Sequence, residues 1–260
     1  KDIEMIEQEL DFWYSGILKK VWKTFSRQVE ASKQNFIQAV EKQFSGLKVN
    51  ENQIKETILK TQLNPEKPAS WTEQEIFNFA RELRKISKPM IIAANKSDLA
   101  NSKENIEKMK KEFPKLIIIP CSADSELALR EASKAGLIDY IPGDSSFKLK
   151  KQVNDKQKQA LELIKRNVLD IYGNTGVQQI LNHAVFQLLQ YVAIFPAGSK
   201  LTDSKGNVLP DCFLMPPGTT ALDFAFKLHQ DLGKNFVKAI DVRTKKAVGK
   251  DYKLKNRDGI

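Results

Sequence analysis

Asn95, Lys96, Ser97 and Asp98 are the residues of this chain best suited to selective chemistry. They close the stretch KPMIIAANKSDLA (88–100), directly after the apolar run from Met90 to Ala94. A carboxylate held rigidly at Asp98 can accept two adjacent donors at once. Guanine offers such a pair, N1–H beside the exocyclic N2–H₂, and adenine does not. A site built around a polar pair rejects the wrong partner by roughly 10⁴, because mispairing leaves buried groups unsatisfied. Asn95 can donate toward the O6/N7 edge while its carbonyl ties neighbouring loops together. The methylenes of Lys96 can lie across the flat face of the base.

A second element follows in the right place. The next apolar run, KLIIIP, ends in Cys121-Ser122-Ala123, and a Ser-Ala turn there offers backbone N–H groups to guanine O6. The candidate base-reading set is therefore Asn95, Lys96, Asp98, Ser122 and Ala123. Both halves sit at the carboxyl ends of successive strands, where open α/β sheets bind ligands.

Phosphate chemistry has no counterpart. A triphosphate site needs G-x-x-x-x-G-K-[ST], whose amides cradle the phosphates and whose lysine neutralises them. No such run occurs, and Gly249-Lys250 lacks the first glycine and continues into Asp251. Asp170–Gly173 and Asp203–Gly206 match D-x-x-G, but both lie after the base-reading motif, so they are read as coincidence. No catalytic residue can be named. Cys121, Cys212, His183 and His229 show no ligand spacing, so no metal site is expected, and the two thiols are expected to be free, as in a reducing compartment.

The elements that must position these residues begin with helices. Residues 2–46 read as helix almost throughout, with Ile3, Ile6, Leu10, Trp13, Ile17, Val21 and Phe25 as one stripe and Gly46 as the stop. A further helix enters through Asn50, giving a long hairpin or small bundle. Ser70-Trp71-Thr72-Glu73 fits a capping box that opens the next helix. Strands and helices then alternate, and wholly apolar strands predict a parallel sheet covered on both faces. The segment GNTG breaks a later helical stretch. After about residue 190 come short strands and one helix over 221–232, capped by Thr219 or Thr220, with Phe224, Leu228 and Leu232 facing a small core.

The 260 residues are 41% hydrophobic and 28% charged, enough for a sizeable core. No apolar run approaches the roughly 18–20 residues needed to cross a bilayer, and the acidic N-terminal residues do not form a signal peptide. A cytoplasmic protein without membrane contact is the simplest expectation. The net charge of +10 and pI near 9.4 favour contact with polyanions. Arg243, Lys245, Lys246, Lys250, Lys253, Lys255 and Arg257 cluster near the C-terminal end. They read either as an RNA-facing patch or as an ordinary basic edge that discourages strand pairing.

From residue 88 onward the chain resembles the Obg-like GTPases, in particular the archaeal branch of the YchF subfamily. NKSD, PCSADSELALREASKAGLIDYIPGDSSF and LPDCFLMPPGTTALDFAFKLHQDLGKNFVKAIDVRTKKAVGKDYKLKNRDGI carry the resemblance, and the last resembles a TGS domain, a β-grasp module. The implied fold is α/β: an incomplete, doubly wound P-loop GTPase domain with a helical insertion (1–70), its C-terminal half (71–190) and a TGS domain (191–260). Asn95, Lys96 and Asp98 match the family's base motif, and Ser122 and Ala123 its second guanine element. The resemblance implies GTP and GDP as ligands and Mg²⁺ in the intact protein, with its ligands outside this chain. It also implies hydrolysis coupled to the ribosome or translation. The phosphate-handling half is expected before Lys1, which leaves this chain inactive alone. The alternatives are a degenerate domain that hydrolyses nothing and a non-enzymatic RNA or ribosome adaptor.

Overall fold

The computed structural model describes residues 2–197, 202, 206–207 and 211–260. Most of the second D-x-x-G match, at 203–205, lies outside the described residues. The chain forms two compact units, Lys1–Met90 and Ile91–Ile260.

The first unit is helical: α1 (Asp2–Ser32), α2 (Phe36–Gln43), α3 (Glu51–Thr61) and α4 (Glu73–Ser87). The long helix expected to run to Gly46 stops at Ser32, because Asn35 interrupts it. The Asn35 side chain accepts from the backbone N–H groups of Ile37 (3.0 Å) and Gln38 (3.3 Å), which starts a new helix. Asn50 caps α3 reciprocally with Gln53. At α4 the reciprocal cap is Thr72 with Glu75, two residues beyond the Ser70–Glu73 pair expected.

The buried face of α1 is also displaced from the expected stripe. Tyr14, Leu18, Trp22, Phe25 and Val29 face the core, while Ile6 and Trp13 are about half exposed. Apolar residues cover more than one face of α1, and the partner helix α4 selects which of them is buried. Trp22 stacks on Trp71 with ring centroids 5.1 Å apart, and Phe36 and Phe79 close the cluster. Each such side chain contributes roughly 1.5–3 kcal/mol when fully buried. Both indoles are satisfied, Trp22 by the Pro68 carbonyl (3.2 Å) and Trp71 by that of Asn64 (3.0 Å). The Arg84 guanidinium is buried beside α1, where its Nε donates to Asp11 at 2.7 Å.

The second unit opens with β1 (Ile91–Ala94), α5 (Ser102–Glu112), β2 (Ile117–Pro120) and α6 (Ala123–Lys134). β1 and β2 are parallel, with Ala94 opposite Pro120, so both strands finish at the same edge. One face packs Ile92, Ala94 and Ile118 against Ile106, Met109 and Phe113. On the other face Ile119 is buried (4%) while Ala93 is exposed and Ile117 is 36% exposed, so that face is covered only in part among the described residues. An apolar strand can be buried on both sides, but burial requires a neighbouring element, which strand composition does not supply.

A short antiparallel pair, β3 (Ile138–Asp139) and β4 (Lys148–Leu149), precedes α7 (Asp155–Ile164), which continues through a widened turn into α8 (Asp170–Tyr172). Leu129, Ile138, Tyr140, Leu161 and Leu169 form the core beneath α6. Gly173 ends α8 in the left-handed conformation, and α9 (Val177–Asn182) begins after Gly176.

The remaining strands are β5 (Val192–Phe195), β6 (Phe213–Met215), β7 (Ala239–Ile240), β8 (Ala247–Val248) and β9 (Asp258–Gly259). β5 is central, antiparallel to β6 and parallel to β9, while β7 and β8 form a separate hairpin. α10 (Ala221–Leu228) is capped by Thr220 with Asp223 and buries Phe224 against Ile194, Met215 and Leu254. The helix expected over 221–232 breaks at extended His229, whose ring nitrogen caps α11 (Gln230–Lys234). The break turns Leu232 away from the core, and it is 55% exposed.

Candidate functional site

The loop after β1 is tied to the end of β2 by backbone bonds that extend the strand pairing. Cys121 N–H donates to the Ala94 carbonyl (2.9 Å), and Ser97 N–H donates to the Cys121 carbonyl (3.0 Å). Between them Lys96 adopts a left-handed conformation (φ +63°), an unfavourable one for a residue with a side chain. This reversal buries Ser97 and leaves Asn95 and Lys96 exposed, with Asp98 half-buried between the strand ends. The loop closes on itself through the Ser102 hydroxyl, which donates to the Ser97 carbonyl at 2.6 Å.

Four of the five candidate base-reading residues, Asn95, Asp98, Ser122 and Ala123, are joined in pairs across the two loops, and the Lys96 side chain is exposed beside them. The Asn95 side-chain oxygen accepts from Ala123 N–H at 3.1 Å, so its carbonyl ties the two loops together as expected. The Ser122 hydroxyl donates to Asp98 Oδ1 at 2.8 Å and lies 2.7 Å from the Ser125 hydroxyl. Asp98 is thereby fixed in orientation, with its second oxygen left to accept.

The part expected of the Ser122 and Ala123 amides differs. Ser122 N–H donates to the Thr175 carbonyl at 2.9 Å, and Ala123 N–H is engaged by Asn95. Both amides brace the loops, and Ser122 acts on Asp98 through its hydroxyl. Sequence spacing places a turn at a strand end but does not say which acceptor each N–H will meet.

Behind this edge lies a polar cluster that spacing did not reveal. Glu126, on the first turns of α6, is buried. Its Oε2 accepts from the Tyr140 hydroxyl (2.7 Å) and the Thr175 hydroxyl (2.6 Å), and its Oε1 from Arg130 Nε (2.6 Å). Burial opposes charge on Glu126, but the bonds from Thr175, Arg130 and Tyr140 outweigh it and hold the carboxyl below its ordinary value. The same cluster pushes the Tyr140 phenol up to about 12, first by burial and then through Glu126. Burial, and then the Glu126 charge, also raise the Cys121 thiol, which makes it a poor nucleophile.

The segment GNTG reads in sequence only as a helix break. In the structure Thr175 joins Glu126 to Ser122, and Gly176 lies flat against the end of β2. A Cβ on Gly176 would stand 1.9 Å from the Pro120 carbonyl oxygen, and its φ of +81° also favours glycine. The two glycines bracketing Asn174-Thr175 were the only available signal.

The seven basic residues are all exposed, and no ion pair within 4.0 Å involves them among the described residues. Arg243 donates to the Arg257 carbonyl at 2.8 Å, which brings the β7–β8 turn beside the chain entering β9. No group of three or more His, Cys, Asp or Glu suited to a metal occurs among the described residues. Cys121 is buried, Cys212 is exposed and both are free. No helix of the described residues is long and apolar enough to cross a membrane.

Comparison with known proteins converges on one family. Residues 93–198 match the model of the Obg-like GTPase YGR210-like, G4 motif-containing domain, and residues 192–260 match the TGS domain. An uncharacterized GTP-binding protein of Methanocaldococcus jannaschii is 44% identical over 262 residues, covering 100% of this chain and 65% of the relative. The crystal structure of a GTP binding protein from Pyrococcus horikoshii OT3 aligns with a TM-score of 0.77 at 43% identity, covering 99% of this chain and 69% of that one. The chain belongs to the Obg-like GTPase family.

A more distant relative, an uncharacterized GTP-binding protein of Schizosaccharomyces pombe, is 28% identical over 236 residues, covering 85% of this chain and 56% of the relative. The chain thus spans 65% and 56% of the length of these two curated relatives. The family expected from NKSD, PCSAD and the C-terminal module is borne out, as is an α/β fold followed by a TGS β-grasp domain.

Proposed function

We propose that this chain is the base-reading part of a GTP-binding protein, with Asp98 as the specificity carboxylate. The observation that carries the reading is the Ser122–Asp98 bond of 2.8 Å, which orients the carboxylate through one lone pair of Oδ1 and leaves Oδ2 and the second lone pair of Oδ1 to accept the two donors. Asp98 accepts N1–H and N2–H₂ of guanine, Asn95 Nδ2 donates to the O6/N7 edge, and Lys96 covers the face of the base. Ala123 N–H holds the Asn95 side-chain oxygen, which leaves Asn95 Nδ2 as the group that faces the base. The names of the relatives support a guanine nucleotide as the ligand.

Residues 1–70 serve as a helical insertion, 71–190 as the base-reading half of the GTPase domain and 191–260 as the TGS module. Phosphate binding, Mg²⁺ and hydrolysis belong to the intact protein, because no phosphate-loop sequence occurs in these 260 residues. This chain alone binds guanine nucleotides weakly and hydrolyses nothing, since most affinity comes through the phosphates. The intact protein acts in the cytoplasm on the ribosome or another RNA, which it contacts through the basic residues of the TGS module.

Substitution Asp98→Asn in the intact protein tests the base assignment. The amide cannot accept both guanine donors, so GTP-over-ATP discrimination falls by at least about tenfold in a competition titration. Unchanged discrimination refutes the role given to Asp98.

A further inference from the structure

Glu126 is a buried carboxylate outside the base motif, and its bonds lead toward Asp98. Its Oε2 holds the Thr175 hydroxyl at 2.6 Å, and the Thr175 carbonyl holds Ser122 N–H at 2.9 Å. The Ser122 hydroxyl in turn holds Asp98 Oδ1 at 2.8 Å. Each link joins a different element: α6, the loop before α9, the end of β2 and the loop after β1. Gly176 fixes the second of these by its close approach to the Pro120 carbonyl.

We propose that Glu126 and Thr175 are positioning residues for guanine specificity, acting on Asp98 through Ser122. The inference rests on the reading of Asp98 given above. Recognition of two adjacent donors requires the carboxylate plane to stay in register with the base edge, and bonded geometry is lost within a few tenths of an ångström. Asp98 is half-buried and lies on a loop. A loop carboxylate keeps its orientation only when a rigid neighbour holds it. Ser122 is that neighbour and is 1% exposed, and its own backbone is held by Thr175.

Glu126 has three donors and is itself buried, so it forms the fixed end of the chain. Tyr140 and Arg130 supply the other two bonds and keep the carboxylate charged. The Ser125 hydroxyl, 2.7 Å from that of Ser122, donates to it, because the single Ser122 proton is given to Asp98. It supports the serine but gives no link to the Thr175 loop.

The deciding experiment compares GDP with inosine diphosphate, which lacks only the 2-amino group, in the intact protein. The preference for GDP reads the second bond to Asp98 and cancels every phosphate contribution. Thr175→Val removes the hydroxyl at nearly constant volume. It should reduce the GDP-over-inosine-diphosphate preference about three- to tenfold, the loss expected when the bond from the 2-amino group to Asp98 is weakened rather than removed. Affinity for inosine diphosphate should stay nearly constant. Thr175→Ser keeps the hydroxyl and should restore the preference.

Leu129→Ala, which opens a cavity on the same helix without removing any hydrogen-bonding group of the chain, should lower stability and leave the preference unchanged. Glu126→Leu provides a second route to the same loss. Wild-type preference retained in Thr175→Val, or lost equally in Leu129→Ala, overturns the positioning role and leaves the base reading standing. A wild-type protein that shows no preference overturns both.

Discussion

Gly176→Ala isolates the contact that holds the Thr175 loop on the strand end. The added Cβ would lie 1.9 Å from the Pro120 carbonyl oxygen and 2.9 Å from Cys121 Cα, both of them backbone. Ordinary contact begins near 3.4 Å, so the loop must retreat by about 1.5 Å, because neither obstacle is a flexible side chain. That displacement stretches the 2.9 Å bond from Ser122 N–H to the Thr175 carbonyl beyond hydrogen-bond range.

Two costs add. A left-handed alanine costs roughly 1–2 kcal/mol, and a buried donor left without its acceptor costs roughly 1–3 kcal/mol. The total is about 3 kcal/mol. Gly173 supplies the control, since it has a similar φ of +79° but nothing within 4 Å of its Cβ position. Gly173→Ala should therefore cost only the conformational part, roughly 1–2 kcal/mol.

The assay is urea unfolding followed by far-ultraviolet circular dichroism, with hydrogen exchange of residues 117–123 as the local reading. Gly176→Ala should lie about 2 kcal/mol below Gly173→Ala, and the amides of Cys121 and Ser122 should lose protection only in the former. Equal stability of the two variants, or intact protection at Ser122 in Gly176→Ala, refutes the idea that this close approach positions the site.

Tyr140 gives a prediction in pH. Its phenol is raised from 10.0 to about 12, so the folded state holds the proton more tightly than the unfolded chain does. The corresponding stability is fully present below about pH 10 and is lost as the pH rises to about 12. It amounts to at most roughly 2–3 kcal/mol, and in Tyr140→Phe this part of the alkaline decline should be missing from urea midpoints measured at pH 9 and 11.5. The basic residues of the TGS module give a prediction in salt. Replacing Lys245, Lys246 and Lys250 together by alanine should lower the slope of log affinity against log salt for single-stranded RNA by about 0.7 per lost phosphate contact. An unchanged slope identifies this strip as an ordinary basic edge.

Local chemistry made much of the chain legible. Asn50 and Thr220 announce their helices because a short polar side chain followed three residues later by Gln or Asp satisfies the first free N–H groups reciprocally. The apolar runs before Asn95 and Cys121 mark parallel strands, and the polar residues after each fall at the same sheet edge because the register sets Ala94 beside Pro120. Residue type and strand position together were enough to assemble Asn95, Asp98, Ser122 and Ala123. The face of α1 that is buried was not legible. Ile6 and Trp13 are as apolar as Leu18 and Trp22, and only the packing of α4 distinguishes them.

The sequence by itself determined which groups can read a base, since that depends on the donors and acceptors of residues close together along the chain. The tertiary structure alone decided how those groups are held. Thr175 lies 49 residues from Glu126, and Ser122 lies 24 from Asp98, separations at which no periodicity or capping rule operates. Such bonds form only when packing brings distant segments into contact, and the orientation of Asp98 depends on them.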